Sequence, residues 1–271
     1  MSRLKPRPTQ KYCSGNFKFF VMPENVAQSA LPIVSNQETA SCWSCGSMRA
    51  AHYCQSCGKV QPAVPVDYFS FFGLPRKLNL DVAALERDFY ALSRKLHPDL
   101  YAQSSEAEQR QWSLEKSSQL NDAYRTLKDP IARTEYLLRL QGVDLDEQST
   151  QATEAARASG KTKKQVVPPD MLEEVFELNM QIEELRMNQK MGAQDPDLIE
   201  QLGEHKKSLQ QKLAAVDQEL HSGWSAWDAL VDTSSEASDA SKPAINRLVD
   251  VLNRRSYIRN LVRDVNEALE S

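Results

Sequence analysis

The chain has 271 residues, enough for one large domain or for several small ones. It holds only 9 glycines, with neither a Gly-x-Gly-x-x-Gly nor a Gly-x-x-x-x-Gly-Lys-Ser/Thr loop, which counts against an enzyme built on phosphate-cradling glycines. A net charge of −4 argues against a general nucleic-acid binder, and no apolar run reaches the roughly eighteen residues of a membrane-spanning helix.

The first acidic residue is Glu24, and Arg3, Lys5, Arg7, Lys11 and Lys18 precede it, with hydroxyls at Ser2, Thr9 and Ser14. A basic, acid-free opening of this kind fits a mitochondrial presequence, which would place the protein in the mitochondrial matrix. Pro6, Pro8 and Pro23 would interrupt an amphipathic helix there, so a disordered basic tail is the alternative. Residues 1–40 are therefore read as a targeting or disordered segment. Cys13 within it is read as an ordinary free thiol.

Residues 41–60 hold two Cys-x-x-Cys pairs, Cys42/Cys45 and Cys54/Cys57, eight residues apart and each followed directly by a glycine, Gly46 or Gly58. Two thiolates on one tight turn can bind one metal while backbone amides point at the sulfurs, and glycine permits the turn's dihedrals. Four such ligands close a tetrahedral structural site with no position left for substrate. Zinc is the expected occupant, with iron or an iron–sulfur cluster as the alternative. Paired disulfides need an oxidising compartment, and a thioredoxin-like motif needs a βαβ unit; nothing in the sequence indicates either. His52 lies between the pairs and is not needed as a ligand. Twenty residues bury little core, so the module should fold only around its metal and serve docking or stability.

Residues 66–142 show helical periodicity broken at His97-Pro98-Asp99. From an N-cap at Asp81, the residues Leu85, Phe89, Leu92 and Leu96 line one face of a helix, with Arg87, Arg94 and Lys95 on its outer side. Pro98 ends that helix. Leu120, Ala123/Tyr124 and Leu127 mark an antiparallel partner over about 106–128, which Pro130 stops before a short helix from Ile131 to Leu140. The hairpin presents His97, Pro98 and Asp99 at its tip.

This arrangement resembles the J domain. The matching residues are Tyr68-Phe69 and Phe72-Gly73-Leu74 in a short first helix, the basic helix ending in Leu96-His97-Pro98-Asp99, and Asn121-Asp122-Ala123-Tyr124 in the third. The resemblance implies that His97, Pro98 and Asp99, with Arg87, Arg94 and Lys95, engage a DnaK-type chaperone and stimulate its ATP hydrolysis. It implies no catalysis by the chain itself.

Residues 143–168, polar and without an apolar period, read as a linker. Residues 169–271 are helical again. Met171, Val175, Leu178, Ile182 and Leu185 form a core-facing stripe, and Leu172, Phe176 and Met180 lie about 140° around the same helix. That second set either packs on another element, with the Trp224/Trp227 segment available, or binds a partner. Leu198, Leu202, Leu209, Leu213, Val216 and Leu220 mark a second helix. Ile245, Leu248, Leu252, Ile258, Val262, Val265 and Leu269 mark a third, with Tyr257 off its stripe and a polar loop over 232–243 before it. The expected fold class is all-α: a J-domain hairpin, a three-helix bundle and a small metal-bound module, with no internal repeat and no strand pair.

The order of parts resembles the HscB-type co-chaperones of iron–sulfur cluster assembly, in their eukaryotic form with an N-terminal metal module. That resemblance spans about residues 41–271. It implies that the bundle binds a cluster scaffold protein through Leu172, Phe176, Glu177 and Met180, with Tyr257 opposite, and coupled to a mitochondrial DnaK-type ATPase. The chain departs from the family in its longer linker over Glu147–Val167 and in Glu173, where an apolar residue is usual. A general J-domain chaperone for unfolded clients is the alternative, though the Gly/Phe-rich segment and repeated zinc motifs of that class are absent. With only Arg49 and Lys59 basic near the cysteines, no nucleic-acid partner is expected. No membrane partner is expected either, and self-association stands open.

Overall fold

The computed structural model describes residues 41–47, 52–143, 171–193, 195–233 and 239–270. The expected targeting segment, Cys13 and essentially all of the expected linker lie outside these residues. The elements are α1 (Tyr68–Phe71), α2 (Val82–Leu96), α3 (Ala107–Lys128), α4 (Pro130–Leu140), α5 (Leu172–Lys190), α6 (Pro196–Asp232) and α7 (Lys242–Glu270). Among the described residues there is no β-strand, in line with the all-α expectation, though an isolated antiparallel bridge joins Tyr53 to Val60.

Aspartate side chains start α1, α2, α4 and α6, because the first-turn amides have no partner within the helix. The Asp67 carboxylate accepts the Ser70 amide at 3.1 Å, and Asp81 accepts the Ala84 amide at 3.0 Å. Asp129 accepts the amides of Ile131 and Ala132, both at 2.8 Å, and Asp195 accepts that of Leu198 at 3.1 Å. Pro130 ends α3 and also begins α4, since a proline at the first helical position lacks only an amide that would go unpaired anyway. Gly73 closes α1 with φ +67°, in the left-handed region that favours glycine.

α2 and α3 pack as the expected hairpin, with Leu85, Leu96, Leu120, Ala123 and Leu127 buried and the rings of Phe89 and Tyr124 stacked at 4.2 Å. In the C-terminal region α6 and α7 make the most extensive pairing, and α5 packs on both. α6 runs further than the stripe Leu198–Leu220 anticipates. It continues through two buried tryptophans, Trp224 and Trp227, to Asp232.

That extension ties the two helical regions together. The Trp227 indole N–H donates to the Arg76 carbonyl at 2.8 Å. The Asp228 carboxylate accepts the amides of Leu78 at 2.6 Å and Asn79 at 3.0 Å, in the loop between α1 and α2. Phe69, Leu78, Leu85 and Leu137 of the hairpin region share one buried cluster with Leu178, Leu202, Trp227, Leu248 and Val265 of the bundle. The Trp224/Trp227 segment therefore packs against the hairpin region rather than on the second apolar set of α5.

One expectation for α7 is corrected. Tyr257, read as lying off the core stripe, is buried with 7% of its surface exposed. α7 packs against α4 as well as α5 and α6, so more than one of its faces is covered.

Candidate functional site

The cysteine module consists of two turns of the same design. Gly46 and Gly58 each take φ +72°, and their amides close the turns onto the carbonyls of Cys42 at 2.9 Å and Cys54 at 2.8 Å. The backbone amides of Cys42 and Cys54 bond forward to the carbonyls of Ser47 at 2.8 Å and Lys59 at 2.9 Å. All four sulfurs, of Cys42, Cys45, Cys54 and Cys57, lie within 4.8 Å of one another. The cross-turn pairs stand at 3.7 Å (Cys42–Cys57) and 3.6 Å (Cys45–Cys54). Metal–sulfur bonds of about 2.3 Å at the tetrahedral angle put sulfurs about 3.8 Å apart, whereas a disulfide needs about 2.05 Å. The four residues therefore fit a single tetrahedral metal ion.

The thiols are prepared for it unequally. Burial opposes ionisation of Cys42, but the amides of Cys45 and Ser44 and the Gln61 side chain outweigh it and lower the thiol to about 6. At Cys57 the Lys59 amide favours the thiolate, yet burial and the neighbouring sulfurs push it up to about 11. A divalent cation removes that conflict, because four thiolates together need its positive charge.

His52 is no ligand. Its Nε2–H donates to the Phe71 carbonyl at 2.8 Å, with the two rings 4.3 Å apart. Burial, reinforced by the charge of Lys116, pulls the imidazole down to about 4 despite the carbonyl contact, so it is neutral. Trp43 packs edge-on against Trp112 of α3 at 5.5 Å, and Lys59 pairs with Glu106 at 2.8 Å. The cysteine module is thus seated on the hairpin.

At the end of α2, His97 takes φ −59° and ψ 130°, leaving the helix as a residue before proline should, and Pro98–Leu100 forms one 3₁₀ turn. His97 and Asp99 are both exposed, and the His97 Nδ1 accepts the Asp99 amide at 3.3 Å. Arg87, Arg94 and Lys95 are exposed along the outer side of α2. The structure brings the tripeptide and the basic face together on one helix, with its carbonyl end turned toward the tip. The hydroxyls of Ser113 and Ser117 donate to the Leu96 carbonyl at 2.7 and 2.8 Å, anchoring the end of α2 to α3. The sequence reading missed both serines. Their signal was available: they lie seven and three positions before Leu120, on the same helical face.

On α5 the core stripe Met171, Val175, Leu178, Ile182 and Leu185 is buried throughout. Leu172, Phe176 and Met180 are 54%, 67% and 60% exposed, and Met187 and Met191 continue the exposed row to the end of the helix. Glu173 and Glu177 stand exposed beside it. Of the two readings left open for this set, internal packing is not what the structure adopts. Tyr257 is in the core and does not join the open row.

A helical hairpin that carries His-Pro-Asp at its tip is the mark of the J-domain co-chaperones. No family model matches the chain. It is 35% identical over 165 residues to the co-chaperone protein HscB homolog of Vibrio atlanticus (strain LGP32), covering 60% of this chain and 83% of that protein. It is 33% identical over 153 residues to the iron–sulfur cluster co-chaperone protein HscB homolog of Arabidopsis thaliana, covering 56% and 54%. The chain thus matches about half the length of that plant relative. The crystal structure of human co-chaperone protein HscB superposes with a TM-score of 0.50 at 22% identity, over 84% of this chain and 97% of the human one, a likeness of fold. The chain belongs to the HscB family of co-chaperones.

Proposed function

We propose that the protein is an adaptor that carries an iron–sulfur cluster scaffold to a mitochondrial DnaK-type chaperone and stimulates the chaperone's ATPase to promote cluster transfer. The observation that carries this reading is the placement of an exposed His97-Pro98-Asp99 tip and an exposed apolar row on α5 upon one shared core. The tip and the cations Arg87, Arg94 and Lys95 meet the chaperone. Leu172, Phe176 and Met180, flanked by Glu177, meet the scaffold, since an exposed apolar row with a charged rim is the usual make-up of a docking surface. Zinc holds the cysteine module, and the ATP chemistry takes place on the partner.

Steady-state ATP hydrolysis by the mitochondrial DnaK-type chaperone, measured with and without this protein and the scaffold, tests the reading. Stimulation that the scaffold increases further is the expected result. Stimulation indifferent to the scaffold leaves a J-domain protein with a different client. A His97→Gln variant that still stimulates would sink the chaperone assignment.

A further inference from the structure

Among the described residues, one fully buried apolar side chain of the cysteine module belongs to the cluster beside the His-Pro-Asp tip. Val60 follows Cys57 by three residues and is fully buried in a small cluster with Phe71 of α1, Leu96 of α2 and Leu120 of α3, separate from the main core. Leu96 is the residue directly before His97. Val60 is itself fixed by the module. Its carbonyl accepts the Trp43 indole N–H at 2.9 Å, it bridges to Tyr53, and the Lys59 carbonyl before it accepts the Cys54 amide at 2.9 Å. Gln61, directly after it, donates through its side chain to the Cys42 sulfur at 3.4 Å and through its amide to the His52 carbonyl at 2.9 Å.

A second contact runs the same way. The ammonium of Lys95 lies 6.0 Å from the ring centre of Tyr53, one residue before the ligand Cys54. The Lys95 carbonyl accepts the hydroxyl of Tyr101, which closes the loop beyond the tip at 3.0 Å. The last turn of α2 is thus held by Ser113 and Ser117 on the Leu96 carbonyl, while the Leu96 side chain shares its buried cluster with Val60 of the module.

We propose that Val60 is a positioning residue for His97, and that through it the bound metal holds the tip in the geometry the chaperone contacts. This inference rests on the J-domain reading above. The twenty-residue module has too little core to keep its shape without the ion. Losing the metal therefore frees Val60, opens a void beside Leu96 and lets the end of α2 fray, while the main core, which excludes Val60, stays packed.

The test uses the full chain loaded with Zn²⁺, the same chain stripped by a chelator under reducing conditions, and the variants Val60→Ala, His97→Gln and Leu209→Ala. Hydrogen exchange of the peptide Arg94–Tyr101 is read beside chaperone ATPase stimulation. Stripped wild-type protein and zinc-loaded Val60→Ala should both exchange this peptide about tenfold faster than zinc-loaded wild type, and both should stimulate several-fold less. Re-adding Zn²⁺ should rescue the first and not the second, which keeps its four cysteines and still binds the ion. Leu209→Ala removes a buried side chain of the bundle and should lower the melting temperature without changing exchange in this peptide. His97→Gln should lose stimulation without the tenfold rise in exchange, any change being confined to the Asp99 amide that His97 Nδ1 accepts. Slow exchange in the stripped protein or in Val60→Ala, or fast exchange with full stimulation, overturns the proposal. Failure of zinc-loaded wild type to stimulate overturns instead the J-domain reading, and the exchange arm then judges the packing link by itself.

Discussion

The Asp228 carboxylate accepts the Leu78 amide at 2.6 Å across 150 positions of sequence, joining the far end of α6 to the loop that leads into α2. The same carboxylate takes the Asn79 amide and side chain, so three donors converge on one anion. Bonds from amides to a charged acceptor are stronger than neutral ones, and here they hold the hairpin against the bundle.

Asp228→Ala should destabilise the protein by about 1.5–3 kcal/mol, because the Leu78 amide is left without its partner. Urea unfolding of the wild type, followed by tryptophan fluorescence and by far-ultraviolet circular dichroism, should give coincident curves, since Trp227 shares the core with both regions. In Asp228→Ala the fluorescence transition should come first. Coincident curves with an unchanged midpoint would show that the link contributes nothing to cooperativity.

Neighbouring apolar residues on α5 should respond in opposite ways. Leu178 is buried and Phe176 is 67% exposed. Leu178→Ala should cost about 2–5 kcal/mol of stability. Phe176→Ser should leave the unfolding midpoint within about 0.5 kcal/mol of wild type, yet abolish the scaffold's added effect on chaperone ATPase. A scaffold response that survives Phe176→Ser moves the docking surface elsewhere.

Two carboxylates should give pH effects of opposite sign. Burial opposes ionisation of Asp67, but the Ser70 amide and hydroxyl and the Arg76 guanidinium outweigh it and hold the carboxyl below its usual range. A depressed folded-state pKa stabilises above the unfolded value and is lost as pH falls, so Asp67→Asn should be destabilising at pH 7 and nearly neutral in acid. Glu135 is raised, by burial first and by the charge of Asp129, against the attraction of Arg139, Arg259 and Arg255. Its ionised form therefore burdens the fold. Glu135→Gln should be neutral to stabilising at pH 7, with the gain vanishing once pH falls below the usual carboxylate range. Urea midpoints at the two pH values, measured for both variants, decide the signs.

The cysteine module should bind one ion per chain. Native mass spectrometry of the intact protein, with elemental analysis, should find a single zinc, and Cys54→Ser should lose it. Acidification should release the ion, because protons compete for the thiolates. Iron in place of zinc would change the occupant without changing the ligand set.

Much of this was legible locally. The Cys-x-x-Cys-Gly repeats define their own turns, since each glycine supplies the positive φ that closes its loop within four residues. Pro98 ends α2 wherever it lies, and the Met171–Leu185 stripe marks the buried face of α5 by its 3.6-residue period. Asp81 could be read as a cap because its partner is three residues away. Short-range geometry of this kind belongs to the sequence alone.

What lay beyond it depends on which surfaces meet. Nothing in the period of α7 separates a buried Tyr257 from an exposed one; its burial depends on the elements brought against the helix. Leu172, Phe176 and Met180 are as apolar as the core, and among the described residues no element covers them. Trp227 and Asp228 read as the tail of an amphipathic helix until the Arg76–Asn79 loop arrives to use their N–H and carboxylate. Val60 is one valine in a polar module until Phe71, Leu96 and Leu120 join it in one buried cluster. The helical stripes, the Asp81 cap and the paired cysteines were legible in the sequence, because each rests on neighbours within a turn or two. The shared core, the open row on α5 and the grip on the His97 end were decided by tertiary structure, because burial is a property of the surfaces brought together.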